Sequence, residues 1–261
     1  MSQAFRIHAS WTGDSLEPAD IGRGLLETFR RLEPLSPVMR NWYLLGADPP
    51  RGVPLEQASD MAALIKESVT RGDFDEPQPE LGYRVTAFGW EVPETWDGRT
   101  VQITVDAGSA WSNEVEFEVG DALRWEPDLS LITYPIFKGA LEAFAAAWPL
   151  PWALAYASVE DDAPPIDAAA RPRPSPFEIA WIAYLSAPLA KGLELPAGLV
   201  AESTPGGGLV ISAVEDRLDQ MNRDHMRRSR ALEQLMCARV GVGDKHPEHH
   251  PAAHPPRIGP W

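Results

Sequence analysis

Tyr83-Arg84-Val85-Thr86-Ala87-Phe88-Gly89-Trp90, Val101-Gln102-Ile103-Thr104-Val105 and Val115-Glu116-Phe117-Glu118-Val119 are the runs that decide the fold. Each has the length of a strand, and the last two alternate apolar and polar residues at period two. Thr95-Trp96-Asp97-Gly98 supplies a turn signal between the first two. Three such runs in succession, with no helical stretch between them, predict an antiparallel meander with one wet face. Glu114, Glu116 and Glu118 fall together on that face, opposite Val115, Phe117 and Val119.

Working outward, residues 5–11 alternate and predict a strand. Asp20 is placed to cap a helix whose apolar stripe is Ile21, Leu25, Leu26, Phe29 and Leu32, with Pro34 after its stop. A short strand follows at 41–45, then a helix carrying Met61, Ala62, Leu64, Ile65 and Val69. Beyond the meander, residues 134–148 predict a helix apolar on most sides, and 152–157 and 177–185 predict apolar strands. A hairpin is expected over 199–203 and 209–214, across Thr204-Pro205-Gly206-Gly207-Gly208, and a last helix over 224–240. Runs of strands outnumber strict alternation of strand and helix. The expected class is therefore α+β, mainly antiparallel sheets flanked by helices. The division expected is an acidic α+β half over 1–128, a second α+β half over 129–240 packed on it, and a disordered Pro/His-rich tail over 241–261. Two similar halves would also fit this order of elements.

Charge separates the halves further. The chain of 261 residues carries 38 Asp and Glu against 23 Lys and Arg, a net charge of −15. Residues 1–130 hold 23 acids and 11 bases, whereas 131–261 hold 15 and 12. A strongly negative half attracts and steers a basic partner. It argues against nucleic acid, whose affinity comes from cations on phosphates. The lone Cys237 allows no intrachain disulfide. The first residues lack the pattern of a signal peptide, and the most apolar region is broken by Pro135, Lys138, Glu142, Pro149 and Pro151. A soluble, cytoplasmic protein with no membrane partner is expected.

A search for chemistry returns little. There is no phosphate-binding Gly loop with Lys and Ser/Thr, no strand followed by GxGxxG and no GxSxG elbow. His246, His249, His250 and His254 are interleaved with prolines in the tail, without a rigid shell to orient them on a metal. His8 and His225 have no recognisable partner motif. Neither enzyme activity, cofactor nor metal is expected. On the wet-face reading, Glu114, Glu116 and Glu118 can all be reversed to Lys without unfolding the domain. The rival readings are a hydrolase using an acidic pair in the β-rich half, and a non-catalytic scaffold or adaptor.

The ordered set of pieces carries a resemblance. The strand ending in Trp11, the helix around Leu25, Asn41-Trp42-Tyr43, Leu81-Gly82 before the strand to Trp90, Asp106-Ala107-Gly108 and Asn113-Glu114-Val115-Glu116-Phe117 come in turn. Gly207-Gly208-Leu209-Val210-Ile211 and Asn222-Arg223-Asp224-His225 close the series. Over about residues 5 to 240 this order resembles the immunity protein 52 family of bacterial polymorphic toxin systems. The resemblance implies an antidote to a toxin passed between competing bacteria, often by type VI secretion. It implies that the toxin is similar to a DNase of the restriction-endonuclease fold, whose basic surface an acidic inhibitor would cover. On that view the candidate contacts are Asp73, Asp75, Glu76, Glu91, Glu94, Asp97, Glu114, Glu116 and Glu118, with Trp96 and Trp111 as anchors.

Overall fold

Phe5–Trp11 forms β1, and its place in the sheet organises the whole fold. The computed structural model describes residues 5–13, 15–44, 53–54, 61–72, 74–90, 100–119, 128–157 and 179–240. Asp73, Glu91, Glu94, Trp96, Asp97 and the expected tail over 241–261 lie outside the described residues. The other strands are β2 (Trp42–Leu44), β3 (Val53–Pro54), β4 (Tyr83–Trp90), β5 (Thr100–Ala107) and β6 (Asn113–Val119) in the first part of the chain. The second part contributes β7 (Trp152–Ala157), β8 (Ile179–Leu185), β9 (Val200–Ser203) and β10 (Leu209–Ser212). Helices are α1 (Pro18–Leu32), α2 (Met61–Glu67), α3 (Tyr134–Ala147), α4 (Ala187–Ala190) and α5 (Arg223–Val240).

All strands join one ten-stranded sheet in the order β3-β2-β4-β5-β6-β1-β7-β8-β10-β9. Every pairing is antiparallel. The expected α+β class with an antiparallel sheet is thus what the chain forms, and β4, β5 and β6 are the predicted meander. β1 pairs on one side with β6, setting Ile7 against Phe117, and on the other with β7, setting Ile7 against Ala155. The sheet therefore runs without a break through both expected halves.

Alternation gives each face its own cover. Phe5, Ile7, Ala9 and Trp11 of β1 and Val115, Phe117 and Val119 of β6 join the main core. That core also takes Ile21, Leu25, Phe29 and Leu32 of α1, Ile65 of α2 and Phe137, Leu141 and Phe144 of α3. Its aromatic centre is Phe137, edge-on to Phe5 at 6.2 Å and to Phe117 at 5.7 Å. Gly24 lets α1 approach the Trp148 ring, which a Cβ there would meet at 2.6 Å. Trp148 Nε1 donates to Thr28 Oγ1 at 3.1 Å, so the buried indole N–H is satisfied. The opposite face is covered differently. Leu232 and Met236 of α5 pack on Leu154 and Tyr156 of β7, Ala183 and Leu185 of β8 and Ile211 of β10. Beyond this second core, β1, β6, β5 and β4 carry polar side chains on that face.

Two local expectations differ from the structure. α1 begins at Pro18 with Glu17 as its cap residue, without a side-chain cap bond. Asp20 lies in its first turn instead, paired with Arg23. Pro at the start of a helix sets φ and sacrifices no helical bond, so it moved the boundary outward. The other difference is at the end of α2, where Val69 leaves the helix and bridges to Tyr83.

Candidate functional site

The polar face is built by register. Arg6, His8 and Ser10 of β1 stand opposite Glu118, Glu116 and Glu114 of β6. On the other side of β6, Gln102, Thr104 and Asp106 of β5 stand opposite the same three glutamates. Arg84 of β4 is in turn opposite Asp106. Directly opposed residues are the closest side-chain neighbours a sheet offers. Glu118 accepts a hydrogen bond from Arg6 Nη2 at 3.0 Å. Glu116 Oε1 lies 3.5 Å from Nδ1 of His8, whose side chain is wholly buried. Arg84 Nη1 lies 3.3 Å from Asp106 Oδ2.

Asp106 and Glu114 form the remaining pair. They stand directly opposite each other across β5 and β6. Burial pushes both above the ordinary carboxylate range, and for Glu114 the nearby charges of Asp106 and Glu116 add to this against His8. Arg84 pulls Asp106 the other way. Glu116 moves in the opposite direction: its bond to His8 holds it below the ordinary value, against its own burial. One strand thus carries carboxyls in different protonation environments.

The pH dependence follows with a definite sign. A carboxyl with a raised folded pKa binds its proton more readily folded than unfolded. The Asp106–Glu114 pair therefore costs nothing below the unfolded carboxylate range, and it costs stability increasingly as pH rises through the raised values. Glu114→Gln removes one of the two opposed charges. It should raise the unfolding midpoint by a few degrees at about pH 7, with the gain fading towards about pH 4. Thermal unfolding across that range checks this, and a pH-independent effect counts against raised carboxyls at this pair.

The glutamate row of the sequence is thus not three free charges on a wet sheet. It is an interior strand whose carboxyls are half-buried and partnered. Sequence reasoning missed Arg6, His8, Asp106 and Arg84. The signal was the alternation of β1 and β5, but pairing β1 with β6 needs the topology.

The other described candidates sit at one end of the sheet. Asp75 and Glu76 lie in the loop that leads into β4, and Trp111 lies in the turn between β5 and β6. Tyr83 at the start of β4 pairs with Ala107 at the end of β5, which brings loop and turn to the same end. Glu114 is the end of the row nearest to them. The Asp75 side chain is 85% exposed and 3.5 Å from Arg71. Backbone hydrogen bonds in its own turn hold the exposed Glu76 below the ordinary carboxylate value. Trp111 is 53% exposed. Among the described residues, no group of three or more His, Cys, Asp or Glu is placed to hold a metal ion. None of their helices is long and apolar enough to cross a membrane.

No curated protein is similar to this chain. Among solved structures, a T6SS protein of Pseudomonas aeruginosa is similar to it with a TM-score of 0.49 and 13% identity, over 92% of this chain and 73% of that one. Residues 4–242 match the family described as immunity protein 52. That match takes in every described element from β1 to α5, the carboxylate face and the aromatic end of the sheet, and the chain belongs to the immunity protein 52 family.

Proposed function

We propose that this chain neutralises a cognate bacterial toxin in the cytoplasm by covering a basic surface of it, and that the toxin is a DNase of the restriction-endonuclease fold. Family membership implies an immunity protein with a toxin as its partner. The observation that carries the finer reading is the net charge of −15, most of it within residues 1–130. A surface that holds DNA must be positive, and an acidic protein competes for it directly. On this reading the chain acts by occupancy and transforms no substrate.

The structure shifts weight among the candidate contacts. Glu116 and Glu118 face His8 and Arg6, and burial pushes Glu114 above the ordinary carboxylate range. Asp75 and Glu76 stand in water beside exposed aromatic surface, where charge steers and apolar area holds. The face proposed for the toxin is therefore the end of the sheet, with the Glu114 end of the row as its border.

Co-expression with the product of the gene immediately upstream tests the reading. The two proteins should purify as one complex, and plasmid cleavage by the partner should stop when this chain is added in equal amount. A partner that cleaves no DNA overturns the DNase assignment. Failure to form a complex overturns the choice of partner and, with it, the proposal.

A further inference from the structure

Phe74 is the most exposed large apolar side chain among the described residues, at 93% of its free area. Its surroundings show that the exposure is held in place. The chain before β4 folds back as a narrow hairpin: Arg84 N donates to Ser68 O at 2.9 Å, Thr70 N to Gly82 O at 2.9 Å and Gln78 N to Thr70 O at 2.8 Å. At the tip, Gly72 N donates to Glu76 O at 2.9 Å and Asp75 N to Gly72 O at 3.0 Å. Asp75 takes φ of 62°, a left-handed conformation that few side chains accept. Arg71 Nη1 donates to Asp75 O at 2.7 Å, and Glu76 accepts from Phe74 N at 3.1 Å and from Gln78 Nε2 at 2.8 Å. Each of these bonds fixes the backbone that carries Phe74, and none of them covers its ring.

A second aromatic is presented in the same way at the same end. In the turn between β5 and β6, Trp111 N donates to Ser109 Oγ at 3.1 Å. Asn113 accepts from Gly108 N at 2.8 Å and donates to Ser109 O at 3.0 Å. Gly82, which accepts from Thr70 N at the base of the Phe74 hairpin, adjoins the second turn: it has φ of 88° and a Cβ there would meet Ala107 O at 2.5 Å and Ser109 N at 2.9 Å. Leu81, 40% exposed, adjoins that contact.

We propose that Phe74 and Trp111 are the paired apolar anchors with which this protein grips its toxin, and that the matching surface on the toxin is an apolar pocket rimmed by Lys or Arg. This deepens the toxin reading above and rests on it. The argument for that occupant is complementarity. Phe74 is flanked by the exposed carboxylates of Asp75 and Glu76 on a chain of net charge −15, so a basic rim is what this surface attracts. Aromatic side chains have few rotatable bonds, and on a backbone already held in place they lose little freedom on burial, which suits a hot spot.

The test uses the full chain and the purified product of the gene immediately upstream. Phe74→Ala should weaken binding at least tenfold, chiefly through faster dissociation, while the unfolding midpoint stays at the parent value. Trp111→Ala should weaken it further in combination. If the parent binds and Phe74→Ala binds equally well, the anchor assignment is overturned and the toxin reading stands. If the parent does not bind that protein, both fail. A parent that dimerises through this end, with Phe74→Ala monomeric and toxin affinity unchanged, gives the surface to a second copy and likewise overturns the proposal.

Discussion

Reversal of Glu114, Glu116 and Glu118 to Lys is expected to destabilise the fold strongly. The sequence alone expects the opposite, because alternating acids on a strand look like its solvated side. The register assigns Glu116 and Glu118 neighbours that a lysine would no longer satisfy. At 118, an ammonium would replace the carboxylate that Arg6 Nη2 reaches at 3.0 Å, in a position only 19% exposed. At 116, it would face the fully buried His8. At 114, it would stand opposite Asp106, where the new charge is opposite in sign and offsets part of the loss. Like charges directly opposed across strands destabilise by up to about 1 kcal/mol each, and a lost charge-assisted bond costs about 1.5–3 kcal/mol before solvent screening is allowed for. The sum is on the order of 3 kcal/mol, a large share of the roughly 5–15 kcal/mol that holds a domain together. A thermal midpoint about ten degrees lower is the expected reading for a chain of this size. A melting curve superimposable on the parent's would show that these pairings do not contribute. Loss of protection by the triple reversal is therefore no measure of toxin contact. Glu116→Gln and Glu118→Gln, which keep shape and remove charge, are the substitutions that separate binding from folding.

Trp181→Ala should do at least as much damage, by a different route. Trp181 lies on β8 with no exposed area, beside Phe5 at 5.5 Å and Phe137 at 5.0 Å. Its indole N–H donates to the carbonyls of Val214 at 3.1 Å and Asp216 at 3.0 Å, tying the segment after β10 to the core. Truncation leaves a cavity that fixed neighbours cannot fill, at about 3–5 kcal/mol, and strips two carbonyls of their donor. Urea unfolding should show a much lower midpoint. Trp181→Phe should fall between, since it keeps one ring's contacts while losing the N–H and the volume of the second ring. Equal effects of the two substitutions would mean that the hydrogen bonds, not the packing, dominate.

What was legible in the sequence was local. Val101, Ile103 and Val105 alternate with Gln102 and Thr104 because one face of β5 meets the core and the other does not. That pattern exists in the chain before any contact is made. The Gly-rich turn between β9 and β10 is of the same kind, with Gly207 at φ of 79°. Partners set by topology were not legible. Arg6 and Glu118 are 112 residues apart, and nothing in either stretch names the other. His8 looked partnerless for the same reason. Phe74 was legible in principle: a lone aromatic between acids in a turn has no core to enter, and its exposure is a question that the sequence alone raises.

The position of β1 has a consequence for how the protein is made. Its two neighbours, β6 and β7, end at Val119 and Ala157, so the first strand waits on the ribosome until most of the sheet has been synthesised. Contacts so distant along the chain make folding slow, and they leave an apolar strand unpaired meanwhile. A half-translated chain cannot act, so whatever protection this immunity protein gives rests on molecules completed beforehand.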